Sequence, residues 1–414
     1  MFSITRDFAP PFKLIVPYFI IGTVVFLFST LLLLGFDINQ ISYLDSSVLS
    51  WVHLFLLGFV MMIIFGAMAQ LIPVVLEVGH WAVELFYVIW PLLLIGTLMM
   101  VFGFYVNVAV LPYGGTFVLI AMAMFTLNVF VTLKKVETFS LVVKCVIVSN
   151  IFLLLGLIIG IVMALSFAGT ISVDVMALLK AHVYLIVGGY VGVTIMGLSL
   201  VLLPMFGLSH NFSQTPITVA VYMLSTGIII VTLSALFDLE LIKYVGYIIS
   251  IASFILYFYQ IVLIYKTRAR KENDIWVKSM FFAYGSLIFS LIFGFVYLLN
   301  PIDSLILGSG WLFSVGFIGF IISGHLYKIV PFLVWFERFS PLVGKKKVPM
   351  LADMVPNKSA TYQLVFSSAG VIICTFGLLF SDDTIFKAGA SFLVIGAFYL
   401  THSLFYMTGL KAEE

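Results

Sequence analysis

Long apolar runs alternate with short polar breaks along the whole chain. Runs with almost no charge fall at 13–35, 49–76, 86–106, 110–133, 141–166, 177–205, 217–237, 241–265, 276–299, 305–334, 361–380 and 386–409. A helix needs about 20 apolar residues to cross a bilayer. The pattern therefore predicts twelve transmembrane helices. The breaks are too short for an inserted soluble domain. The expected fold is all-α: one polytopic membrane domain over residues 1–414.

Composition agrees. Hydrophobic residues make up 63% and charged residues 9%, against roughly 45–50% and about 25% in soluble domains. The 42 Phe and a mean hydropathy of +1.24 make lipid the solvent for most side chains. A soluble enzyme, a disordered chain and a disulfide-stapled secreted domain are excluded. The net charge of +2 is too balanced for a nucleic-acid binder. Cys145 and Cys374 both lie in apolar runs, as small buried hydrophobes. Arg6 and Lys13 precede the first run and no small-residue cleavage site follows it, so it reads as a retained helix.

Basic residues set the orientation. With the N-terminus inside and alternating sides, the inner side collects 17 of the 20 Lys and Arg, Arg6 among them. The outer side keeps Lys180, Lys243 and Lys387. Both termini are thus expected in the cytoplasm, with the chain in a bacterial inner membrane. The inner loop 335–360 holds Lys345, Lys346 and Lys347, read as a topology anchor, with a docking site or contact with anionic lipid headgroups as the alternative. The six tryptophans lie near span ends, as an aromatic belt would.

An internal pattern refines this. The second, sixth and tenth segments carry Gly58, Gly66 and Pro73; Gly189, Gly197 and Pro204; and Gly316, Gly324 and Pro331. In each, G-x7-G-x6-P recurs, with four helices between one proline and the next. The chain reads as three pseudo-symmetric four-helix units, about 1–135, 136–270 and 271–414. Small residues permit close helix approach. Each proline is expected to close its span.

A 12-helix chain of three four-helix arcs resembles subunit I of the haem–copper oxidase superfamily and the NnrS-type nitric-oxide-response proteins. His182-Val183-Tyr184 at the start of the sixth segment resembles the oxidase run that supplies a copper-ligating histidine. His53 in the second segment resembles the low-spin haem ligand. The family's His-x-His pair would fall at Ser309 and Trp311, and its two adjacent histidines have no counterpart. A complete terminal oxidase is therefore not expected.

The resemblance implies a membrane haem protein, b-type, with copper as a further candidate, and without the oxygen-reducing site. His53 and His182 are the candidate haem and metal ligands. His325 and His402, deep in their segments, are read either as a second cofactor site or as structural hydrogen-bond formers. His80 and His210 read as solvated. Acidic residues fall in loops or at span ends, so no proton relay is expected. The implied roles are nitric-oxide or metal stress response, or electron transfer beside a respiratory or redox partner. Alternatives are a small-solute transporter or channel, and an assembly partner of a respiratory complex. Membrane lipid is a partner in all of these, and nucleic acid in none.

Overall fold

The computed structural model describes residues 10–411; Arg6, counted above, lies outside them. Among the described residues, twelve helices are long and apolar enough to cross a membrane. They are α1 Phe12–Gly35, α2 Ser46–Leu76, α3 Leu85–Tyr105, α4 Val108–Leu133, α5 Leu141–Phe167 and α6 Val175–Gly207. Then come α7 Thr215–Leu236, α8 Glu240–Lys266, α9 Ile275–Leu299, α10 Asp303–Leu342, α11 Asn357–Phe380 and α12 Asp383–Gly409. No strand forms among the described residues, only an isolated bridge between Ser209 and Arg268. The fold is all-α and of integral-membrane type.

Polar residues at the breaks start the helices. Ser140, Asp174, Asp274 and Asp382 each accept a hydrogen bond from a first-turn amide of α5, α6, α9 and α12. These caps satisfy donors that lipid cannot. They also give acidic residues at span ends a structural role.

The expectation at the prolines holds only in part: Pro73 and Pro204 lie within a turn of their helix ends, and Pro331 does not. All three lie inside helices that continue past them. The helix runs on to Leu76 after Pro73, to Gly207 after Pro204 and to Leu342 after Pro331. A proline removes one amide and frees the carbonyl four residues earlier, a loss that a nearby donor can offset. The long inner loop shortens accordingly, because α10 turns through a π-helical stretch at Trp335–Phe339 and ends at Leu342.

Contacts cluster into two compact units, Ala69–Glu272 and Pro10–Met68 with Asn273–Glu414. One boundary falls near the expected junction of the second and third repeats; the other cuts α2.

Inside the units, two kinds of glycine seam recur. The first joins α1 to α2, α5 to α6 and α9 to α10. A Cβ built on Gly66 would stand 2.6 Å from Tyr18 Cβ. On Gly189 and Gly197 it would stand 2.7 and 2.6 Å from the Cβ atoms of Phe152 and Cys145. On Gly316 and Gly324 it would stand 2.6 and 2.8 Å from those of Ser286 and Ser279. At these separations a side chain fits only if one of the two helices shifts outward. The second seam joins α3 to α4, α7 to α8 and α11 to α12. There a Cβ on Gly96, Gly227 or Gly370 would lie 2.9, 2.9 or 2.8 Å from the carbonyl oxygen of Gly114, Gly246 or Gly389.

The backbone repeats too. Helices α2, α6 and α10 each widen into a π-helical stretch, at Leu54–Met61, Tyr184–Gly192 and Leu312–Gly319. Each stretch ends twelve residues before its proline, 61 to 73, 192 to 204 and 319 to 331. The sequence pattern gave no sign of it. Mid-helix π turns are rare and often mark functional sites.

The seam makes a sharp prediction. Gly324→Ala should destabilise by about 1–3 kcal/mol through overpacking, seen as a lower Tm of the detergent-solubilised protein. Gly285→Ala, where a Cβ meets nothing within 4 Å, should be neutral or stabilise by up to about 1 kcal/mol. Equal effects at the two positions would contradict the seam.

Candidate functional site

His182 lies two turns into α6, behind the cap in which Asp174 accepts from the amides of Met176 and Ala177 at 2.9 and 3.1 Å. Its Nδ1 stands 2.8 Å from the carbonyl oxygen of Gly156 on α5. A carbonyl only accepts, so Nδ1 carries the hydrogen and Nε2 keeps the lone pair. The ring rests in a notch that glycine leaves open: a Cβ on Gly160 would lie 3.0 Å from His182 Cε1. Nε2 makes no hydrogen bond among the described residues. The result is a half-buried imidazole with one nitrogen pinned and, in the neutral ring, the other available as a ligand.

His53 is held differently. Its Nδ1 bonds the carbonyl of Leu49 on its own helix at 2.7 Å, which fixes the same tautomer without reaching a neighbour. Beside it, Trp51 packs on Phe55 and Trp311, with ring centroids 5.4 and 5.6 Å apart. Trp311 in turn meets Phe386 at 5.9 Å. Its Nε1 donates to the Val371 carbonyl at 3.1 Å. Ser309 and Ser290 exchange hydroxyl-to-carbonyl bonds of 2.9 and 2.8 Å between α9 and α10. A bis-imidazole haem does not fit this donor set. One imidazole is present, and the positions replacing the second pair are an indole and a hydroxyl with their donors committed.

This cluster also corrects the aromatic-belt reading. Trp51, Trp276 and Trp311 are buried, at 7%, 6% and 5% exposure, while Trp81 is 50% exposed. Ring packing draws these three inside, and Trp311 alone adds an indole hydrogen bond there.

His325 and His402 take separate partners. His325 is buried on α10, with Nδ1 2.8 Å from the carbonyl of Ile321 and its ring edge-on to Trp276 at 6.0 Å. One turn on, Lys328 bonds Asp274 at 2.5 Å, the residue that caps α9. His402 is exposed on α12 and lies 3.1 Å from the Ser359 hydroxyl. His325 thus meets a backbone carbonyl and His402 a serine hydroxyl. Among the described residues no three His, Cys, Asp or Glu side chains are grouped to hold a metal ion. Copper, which would need further donors beside His182, does not fit.

His80 was misjudged from sequence. It is 7% exposed, not solvated. Its Nε2 donates to the carbonyl of Ala69 at 2.8 Å. Ala69 stands four residues before Pro73, so this is the carbonyl the proline leaves unbonded. Asn128 on α4 faces Nδ1 at 3.4 Å and accepts from the amide of Ala82 at 3.1 Å. Thr132 accepts from the amide of Trp81 at 3.0 Å. A proline followed seven residues later by histidine was the available signal. His210, by contrast, is exposed. Asn150 joins α4 and α5 by accepting from Thr126 at 3.2 Å, an interhelical role as expected.

No protein-family model matches the chain, and no curated protein matches it.

His80 lies between spans, and burial holds its imidazole pKa below the usual 6.5, against a smaller opposite effect of the Ala69 carbonyl. The folded ring stays neutral where the unfolded ring takes a proton. The penalty is absent above the ordinary pKa and grows as pH falls below it, by at most about 1.4 kcal/mol per pH unit. Tm should therefore fall from neutral to mildly acidic pH. His80→Gln should flatten that slope; an unchanged slope would contradict the assignment.

Proposed function

We propose that this chain is an integral membrane haem-binding protein of haem–copper-oxidase-like architecture, without the oxygen-reducing centre. His182 would hold a b-type haem through Nε2. One observation carries the reading: the Gly156 carbonyl fixes Nδ1–H and leaves Nε2 free of any protein hydrogen bond. A ligating histidine characteristically donates its other ring nitrogen to a carbonyl or carboxylate, which orients the ring and raises its basicity. His182 has that arrangement before any ligand binds.

The recurring seams and π stretches of α2, α6 and α10 support the likeness to a three-arc fold. The haem would supply one-electron or gas-ligand chemistry, with nitric oxide the natural candidate by analogy. The chain's own residues hold the imidazole by the Gly156 carbonyl and seat it against Gly160. His182 is the one protein ligand assigned. A membrane stress-response or electron-transfer role follows from that chemistry, with both termini on the cytoplasmic side.

The test is a visible spectrum of the protein purified from haem-replete cells. A Soret band is expected, lost in His182→Ala and kept in His53→Ala. Gly160→Val should weaken it by closing the notch around the ring. A colourless, haem-free preparation would overturn the reading in favour of transport or assembly. So would a Soret band unchanged in His182→Ala.

A further inference from the structure

The expected outer face carries three lysines, and two of them meet in one place. A cavity of about 140 Å³ opens between the start of α6, the end of α7 and the start of α8. Lys180, Lys243, Asp174, Asp238, Glu240 and Tyr247 line it. The third outer lysine, Lys387, is instead paired with Asp383 at 2.6 Å. Cations are scarce on the outer side of a membrane protein, so their convergence on a single cavity asks for a cause.

The charges divide into spent and unspent groups. Lys243 and Glu240 form an ion pair. One oxygen of Asp174 accepts from two α6 amides. Lys180 makes no hydrogen bond or ion pair among the described residues, and neither does Asp238. Ser234, 3% exposed, also lines the cavity, and its hydroxyl has no partner. Lys180 feels the Glu240 carboxylate, but the groups without a direct partner are one ammonium, one exposed carboxylate and one buried hydroxyl.

This set excludes simpler ligands. A divalent cation wants several carboxylates in one shell, and no group of three is close enough to hold a metal. A simple anion would meet three carboxylates at the rim. A molecule carrying both charges satisfies both unspent ions at once. The cavity is small, so the molecule has to be compact, and the smallest α-amino acids are the most compact zwitterions of this kind.

We propose that this outer cavity binds a small zwitterion of the glycine or alanine class. Lys180 and the Ser234 hydroxyl take the carboxylate, and Asp238 takes the ammonium. The site is separate from the haem reading and does not depend on it, since His182 turns toward α5 while the cavity faces α7 and α8.

The experiment is equilibrium binding of radiolabelled glycine to the full chain in detergent, whether or not the preparation is coloured. Saturable binding is expected, competed by alanine. Acetate and methylamine, which carry one charge each, should compete at least about tenfold more weakly, since each forfeits a charge-assisted bond. Lys180→Met and Asp238→Asn should each weaken binding about tenfold, and Lys180→Arg should keep most of it. Each variant is first checked for an unchanged melting transition. Any variant that fails this check is replaced by Ser234→Ala, which should weaken binding several-fold. No saturable glycine binding to the folded wild-type chain would overturn the proposal. Binding unchanged in the folded variants would overturn it as well.

Discussion

Close backbone approach through glycine is the constraint on which the rest of this molecule depends. In lipid, burying apolar surface between helices gains little, because hydrocarbon is as apolar as leucine. What remains is dense packing and the satisfaction of polar groups. Glycine supplies the first by letting two helices come within a side chain's radius. It supplies the second by exposing carbonyls to donors on a neighbour. His182 illustrates both, since Gly160 makes room for its ring and Gly156 presents the oxygen that holds it.

The prolines act on the same ledger of backbone groups. Each takes away one amide within a helix and leaves a carbonyl exposed in a medium without water. At Pro73 the chain answers with His80, folded back from the following break to bond the carbonyl of Ala69. The ring is then locked by Asn128 and Phe86, the latter at 5.1 Å. The helix can run past the proline because its lost bond is replaced from outside.

The spans were legible in sequence because length and hydropathy are enough to mark a transmembrane helix. The G-x7-G-x6-P pattern also named glycines that form the first seam. The second seam, through Gly96, Gly227 and Gly370, escaped notice because those glycines carry no shared spacing to a proline. The π stretches were hidden for a different reason, since an extra residue per turn leaves no composition signal. Exposure was the weakest inference. His80 and three tryptophans were placed at the surface by their positions near span ends, but side-chain hydrogen bonds and ring stacking drew them inside. The ligand role of His182 was suggested by a likeness in sequence; its tautomer and its empty Nε2 emerged only from three dimensions.

The central claim is that the same helix seam is built three times. Cysteine pairs introduced at Tyr18 with Gly66, Phe152 with Gly189 and Ser286 with Gly316 test it, in a background with Cys145→Ala and Cys374→Ala. The chain is oxidised in native membranes and linked peptides are read by mass spectrometry. Efficient cross-linking at all three pairs is predicted, because a small outward relaxation brings each into disulfide range. Failure at any one pair, with the protein still folded and membrane-inserted, would contradict the account.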